Sequence, residues 1–319
     1  MKQTMPGIHH ITAITSDPQE NIDFYMDLLG LRLVKLTVNF DDPGAYHLYF
    51  GDDVGHPGTI LTFFAWPGAP RGRQGTGEIT AIAFLVSESS LSYWSERLAA
   101  RGLSVEGPIR RFDEQVLAFT DPNGLPLELV AHQRAAGRSG WSDGPIPAEH
   151  AIRGFAGVTL SLAEHAPTAA LLAEVMGFQA LGEGAGRFRY QIGDDTQGAR
   201  IDLLASHAAR RGLMGAGTVH HIAWRTPDDE QQLIWRQTLL ARGLQVTPVR
   251  DRQYFHSIYY REPGGVLFEI ATDPPGFTAD ETPEELGTHL KLPPWLEPQR
   301  ALLEQQLPPV HLPTKAVGG

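Results

Sequence analysis

Cysteine is absent from all 319 residues, which excludes disulfides, thiolate zinc sites and cysteine nucleophiles. Long apolar runs are absent as well, none approaching the ~20 residues that span a bilayer, so no membrane partner is expected. Basic residues are in deficit: 26 Lys and Arg against 37 Asp and Glu give a formal charge of −11. That balance argues against a nucleic-acid surface, which needs clustered cations. The opening MKQTMPGIHH has neither the apolar core nor the small-residue cleavage site of a secretory signal, and the expected location is cytoplasmic. What remains is an ordinary globular composition, 42% hydrophobic and 20% charged, in a chain long enough for two medium domains or one elongated one.

Faint internal repeats organise the chain. The first unit, Gly7 to Trp66, opens with the strand GIHHITAIT and continues with a helix in DPQENIDFYMDLLG. Asp17 suits its N-cap, Pro18 its first position and Gly30 a left-handed stop. Ile22, Tyr25, Leu28 and Leu29 share one helical face, which predicts packing on a sheet. Three strand-like runs follow. The second unit, Gly77 to His132, closes with two strands around a DPNG turn. The third echoes the first (GFAGVTLSL for GIHHITAIT, YQIGDD for LYFGDD) and the fourth echoes the second (LLARGLQV for LAARGLSV). The expected fold is α+β, four βαβββ modules in two duplicated halves. The boundaries are a pair of modules over 1–132, a Gly/Ser/Pro-rich linker over 133–152 and a second pair over 153–273. A Pro-rich tail over 274–319 is expected to wrap the surface, with a short helix near Pro298 to Leu307.

Alignment of the modules turns positions into chemistry. At the first-strand position they carry His10, Ala81, Gly157 and His221; at the last-strand position, Thr62, Glu128, Asp202 and Glu269. If modules one and four pair, His10, His221 and Glu269 meet with small Thr62 at the fourth corner. Two histidines and one carboxylate are the ligand set of non-haem Fe(II) oxygenases. Glu269 stands between Phe268 and Ile270, and a carboxylate in an apolar strand needs a cation or donors to stay ionised. A competing set, His221, Glu269 and Asp202, would follow if modules three and four paired. Strand alternation predicts that His9 and His220 face away from their neighbours, as orienting or adjacent-pocket residues. The stretch VRDRQYFHSIYYRE places Arg252, His256, Tyr259 and Tyr260 on a hairpin. If it lines the cup, Tyr259 is a hydrogen-bond donor and Arg252 an anion stabiliser. Of Tyr46 and His47, alternation turns only one inward.

With FYMDLLGLRLV in its first module, the chain resembles the vicinal oxygen chelate superfamily, which includes glyoxalase I and extradiol dioxygenases. GIHHIT, YHLYFGDDVGHPGT, GTVHHIAW, PGGVLFEIATDPPGF and PPWLEPQR narrow the resemblance to the hydroquinone ring-cleaving dioxygenases, over essentially the whole chain. That resemblance implies His10, His221 and Glu269 as ligands, with His9, Thr12, His220, Arg252 and Tyr259 around them. It implies Fe(II), with Mn(II) as the alternative, and O2 plus a para-diphenol as reactants. Tyr259 or a neighbouring histidine would assist deprotonation, and His220 or His9 would return a proton. A homo-oligomer is compatible with this reading. The rivals are a glyoxalase-type isomerase, a catechol extradiol dioxygenase and a non-catalytic binding protein.

Overall fold

The computed structural model describes residues 4–193, 199–206 and 210–312. Module one supplies strands β1 (Ile8–Thr15), β2 (Arg32–Asn39), β3 (Asp42–Gly51) and β4 (Ile60–Ala65). Module two supplies β5 (Glu78–Val86), β6 (Glu106–Arg111), β7 (Glu114–Thr120) and β8 (Pro126–Ala131). β9 (Phe155–Leu162), β10 (Gln179–Gly184), β11 (Arg187–Ile192) and β12 (Ala199–Ala205) belong to module three. β13 (Val219–Thr226), β14 (Arg250–Asp251), β15 (Phe255–Arg261) and β16 (Leu267–Pro275) belong to module four. The helices are α1 (Pro18–Ile22), α2 (Leu91–Ala100), α3 (Ala166–Ala170), α4 (Asp229–Ala241) and α5 (Arg300–Gln306). The fold is α+β, the duplicated arrangement expected.

Modules pair across the halves. One eight-stranded sheet runs β14-β15-β16-β13-β1-β4-β3-β2, joining modules four and one, and the other runs β10-β11-β12-β9-β5-β8-β7-β6, joining three and two. The seams are antiparallel, β1 on β13 and β5 on β9. Modules one and four are therefore brought together, and the alternative pairing of three with four is not formed.

The first helix begins as its sequence dictates. The Asp17 side chain accepts from the Gln19 and Glu20 N–H groups and Pro18 occupies the first turn, satisfying two otherwise orphaned donors. Instead of a continuous α-helix, Asp23–Leu28 widens into a π-helical stretch, and the same widening recurs at Leu171–Met176 in module three. Gly30 closes the element at φ +67. The expected apolar face, Ile22, Tyr25, Leu28 and Leu29, is fully buried. Tyr25 packs on Phe50 and Phe63, with ring centroids 5.4 and 4.7 Å apart; burying each such side chain contributes roughly 1.5–3 kcal/mol.

The tail does more than cover surface. Phe277 packs on Tyr49 and Tyr254, at 5.1 and 5.2 Å between centroids, sealing a small second core against β2 and β3. Lys35, fully buried on β2, is neutralised there by Asp280 at 2.6 Å and by Glu281. The expected tail helix is α5, entered through a 3₁₀ turn at Glu297–Gln299.

Candidate metal centre

β1, β13 and β16 lie side by side at the middle of the first sheet and deliver His10, His221 and Glu269 to one point. His221 Nε2 lies 2.9 Å from Glu269 Oε2, His10 Nε2 lies 3.4 Å from the same oxygen, and the two Nε2 atoms are 3.4 Å apart. All three residues are buried. Glu269 Oε2 has no hydrogen-bond partner, whereas Oε1 accepts from Ser257 Oγ.

These residues fit a divalent ion. Donor atoms about 2.0–2.2 Å from a shared ion and at right angles to one another stand roughly 3 Å apart, close to the separations observed. An orphaned carboxylate oxygen aimed at two imidazole nitrogens is otherwise a buried, unsatisfied group of the costly kind. Burial pushes the Glu269 carboxyl up, but the adjacent His10 and His221 outweigh it and hold the group well below the usual carboxylate range. Burial pushes His221 down, so the imidazole is neutral and its nitrogen is available. At the fourth corner Thr62 is fully buried, its hydroxyl 2.9 Å from Thr12 Oγ1 and 2.8 Å from His47 Nε2.

The adjacent histidines correct a sequence expectation. Alternation would separate them onto opposite faces, yet His9 Nδ1 lies 2.9 Å from His10 Nδ1 and His220 Nδ1 lies 2.7 Å from His221 Nδ1. The β1–β13 register explains it. Ile8 faces Trp224 and His10 faces Ala223, leaving His9 as an extra residue; Thr12 faces His221 and Ala13 faces Val219, leaving His220 extra. Each doublet sits on a β-bulge, which breaks the alternation and re-aims a side chain. Nothing in the residue types marks a bulge, although the same doublet at two equivalent positions was a usable hint.

A cavity of about 270 Å³ opens beside the triad. His10, His220, His221, Arg252 and Tyr259 line it, with Phe64, Trp66 and Phe255 as aromatic walls. His9 and Thr12 are buried behind it, not in its lining. Arg252 Nε donates to the Tyr259 hydroxyl at 3.1 Å, and its Nη2 lies 2.9 Å from Asp41. Burial raises the Tyr259 phenol well above its ordinary value, so it stays protonated. Burial and the neighbouring His221 push His220 down to about 3.

Of the unassigned pair, His47 faces the cavity and Tyr46 turns to the tail, its hydroxyl donating to Pro308 O at 3.0 Å. Tyr49, two residues on and therefore on the same face, lies 2.9 Å from His47 Nδ1. Neither Tyr49 nor Ser257 was singled out by sequence, because a tyrosine and a serine in strands carry no signal of what they meet. His256 lies away from the triad, 2.7 Å from Asp229.

The equivalent place in the second sheet is built differently. Glu128 is held by both Arg111 Nη atoms at 2.7 and 2.8 Å, and Asp202 by Arg189 at 2.7 and 2.9 Å. At Gly157, the counterpart of His10, a Cβ would fall 2.0 Å from Arg200 O, so no ligand-bearing side chain fits. Guanidinium groups occupy that cup.

The sequence model of the Glyoxalase/Bleomycin resistance protein/Dioxygenase superfamily matches residues 7–129 and 158–270. A Bacillus subtilis (strain 168) protein, "Putative ring-cleaving dioxygenase MhqO", is 50% identical over 311 residues, covering 98% of each chain. The chlorohydroquinone/hydroquinone 1,2-dioxygenase of Sphingobium indicum is 34% identical over 305 residues, covering 93% of this chain and 94% of its own. A crystal structure from Bacillus subtilis, described in the same qualified way as a dioxygenase, superposes with a TM-score of 0.93 at 48% identity, over 98% of this chain and 99% of that one.

Proposed function

The chain belongs to the glyoxalase/bleomycin resistance protein/dioxygenase superfamily, and we propose that it is an Fe(II)-dependent dioxygenase that opens the ring of a hydroquinone. The observation that carries this reading is the convergence of His10, His221 and Glu269 with an unpartnered carboxylate oxygen between them. Three protein ligands with a threonine at the fourth corner leave positions for substrate and O2, where an isomerase site would use a second carboxylate. The named activity of the Sphingobium indicum relative supports a para-diphenol over a catechol. Mn(II) is the alternative ion.

When bound by His10, His221 and Glu269, the metal would supply Lewis acidity toward a substrate hydroxyl and electronic coupling between the ring and O2. The chain's own residues do the rest. Phe64, Trp66 and Phe255 form an apolar enclosure for a planar ring, holding it in one orientation and excluding water. For His10 and His221 to offer Nε2, their protons must sit on Nδ1 and be donated to His9 and His220, which fixes both ligand rings. His9 and His220 then carry their own protons on Nε2. His220 lines the cavity and His9 does not, so His220 is the histidine whose Nε2–H can donate a hydrogen bond to the substrate, and His9 is an orienting residue. Tyr259, protonated and oriented by Arg252, donates a hydrogen bond to substrate oxygen. Thr12 holds the Thr62 hydroxyl at the fourth corner.

Oxygen-electrode assays of the Fe(II)-loaded chain test the reading, with hydroquinone, methylhydroquinone and catechol side by side. One O2 consumed per hydroquinone, with catechol far slower, is the expected result. Fe(II)-loaded protein that consumes no O2 with any diphenol would remove it.

A further inference from the structure

His220 and His221 line a second cavity, of about 180 Å³, as well as the one that faces the aromatic walls. The two chambers differ in charge. In the first, the guanidinium of Arg252 is matched by Asp41 at 2.9 Å, and a further carboxylate, Asp42, accepts from Trp66 Nε1 at 2.7 Å. In the second, Arg211 and Arg261 enter the lining, and neither has an ion-pair partner among the described residues. Both guanidinium groups converge on Gly265: Arg261 Nη1 donates to its carbonyl at 2.8 Å, and Arg211 Nη2 lies 3.7 Å from where a Cβ would stand. The one carboxyl in the lining, Glu78, has a buried Oε2 with no partner.

Ring opening changes the charge of what the site holds. A diphenol is neutral near pH 7, since phenols ionise near 10. Breaking the bond between a hydroxylated ring carbon and its unsubstituted neighbour with one O2 places one oxygen atom on each carbon. The hydroxylated carbon becomes a carboxylic acid and its neighbour an aldehyde, with both electron pairs supplied by the substrate. The acid then ionises, releasing one proton. The first chamber, with its guanidinium already matched, suits the neutral reactant; the second suits the anion.

We propose that the chamber of Arg211, Arg261 and Glu78 is a carboxylate-binding site that receives the ring-opened product and gives it a route out past His220. The two guanidinium groups take the new carboxylate, and Glu78 in its protonated form donates a hydrogen bond to the same group or to the aldehyde oxygen. This rests on the ring-opening reading above.

The test uses cis,cis-muconate, a stable six-carbon dicarboxylate of the product's shape, in titration calorimetry with the full-length chain. The wild type should bind it, and Arg211→Gln and Arg261→Gln should each weaken binding by about tenfold, with the neutral dimethyl ester failing to bind. In oxygen-uptake assays the same variants should lose inhibition by muconate while KM for hydroquinone changes less than about twofold. Circular dichroism confirms that each variant is folded. Muconate bound equally by wild type and Arg211→Gln, or displaced by hydroquinone alone, overturns the assignment. If the wild type consumes no O2, the reaction falls, and the calorimetry still decides the carboxylate site on its own.

Discussion

Proton positions govern what each residue of the triad can do. An imidazole must be neutral to ligate a metal, and burial pushes His221 down, as it does His9 and His47 around it, and takes His220 to about 3. A group whose folded pKa lies below its unfolded value binds a proton more readily when unfolded, so its contribution to stability is lost as pH falls. For these histidines the loss starts near 6.5, the unfolded value, and continues toward 3; Glu269, also depressed, adds to it below about 4.3. Thermal melts of the chelator-treated chain should therefore fall steadily from pH 7.5 to pH 5, and a flat profile would contradict the buried neutral imidazoles. A second expectation concerns the phenol. Tyr259→Phe should keep its metal and lose about 10²- to 10³-fold in turnover, the effect of removing one preorganised donor. Unchanged turnover with metal retained would take Tyr259 out of the scheme.

At the scale of the element, period and composition made the strands, the first helix cap and its buried face legible, because each rests on local patterning. Asp17, Pro18 and Gly30 act where their types prefer to act. The bulges at His9 and His220 were not legible, since an inserted residue is defined by the partner strand's register, and that register is a tertiary fact. The same limit hid Ser257, which matters only because β15 lies on β16 beside Glu269. The second sheet shows how one scaffold position takes another role. Arg189 bridges Glu114 and Asp202 there while 4% exposed, so Arg189→Met leaves two buried carboxylates short of a cation. Because Glu114 keeps Arg134 and Arg200 and Asp202 keeps Arg187, the loss should be about 1.5–3 kcal/mol, read by urea denaturation, with no change in bound metal. A loss of metal on that substitution would mean that the two cups are coupled.

For the whole molecule, the site exists because the first and last modules share a sheet. Alignment of the modules put His10, His221 and Glu269 at matching corners, and left one rival, with Asp202 in place of His10. The structure separates them: Asp202 lies in the other sheet, held by Arg187 and Arg189. The role of the tail as a wall behind Tyr49 and Tyr254 was not visible, because Lys35 and Asp280 are 245 positions apart and neither residue announces the other. The measurement that bears most directly on the centre is metal content per chain, after anaerobic Fe(II) loading and desalting, of the wild type, His10→Ala and Asp202→Asn. About one ion in the wild type and in Asp202→Asn, and almost none in His10→Ala, is the predicted result. Metal retained by His10→Ala but lost from Asp202→Asn would contradict it.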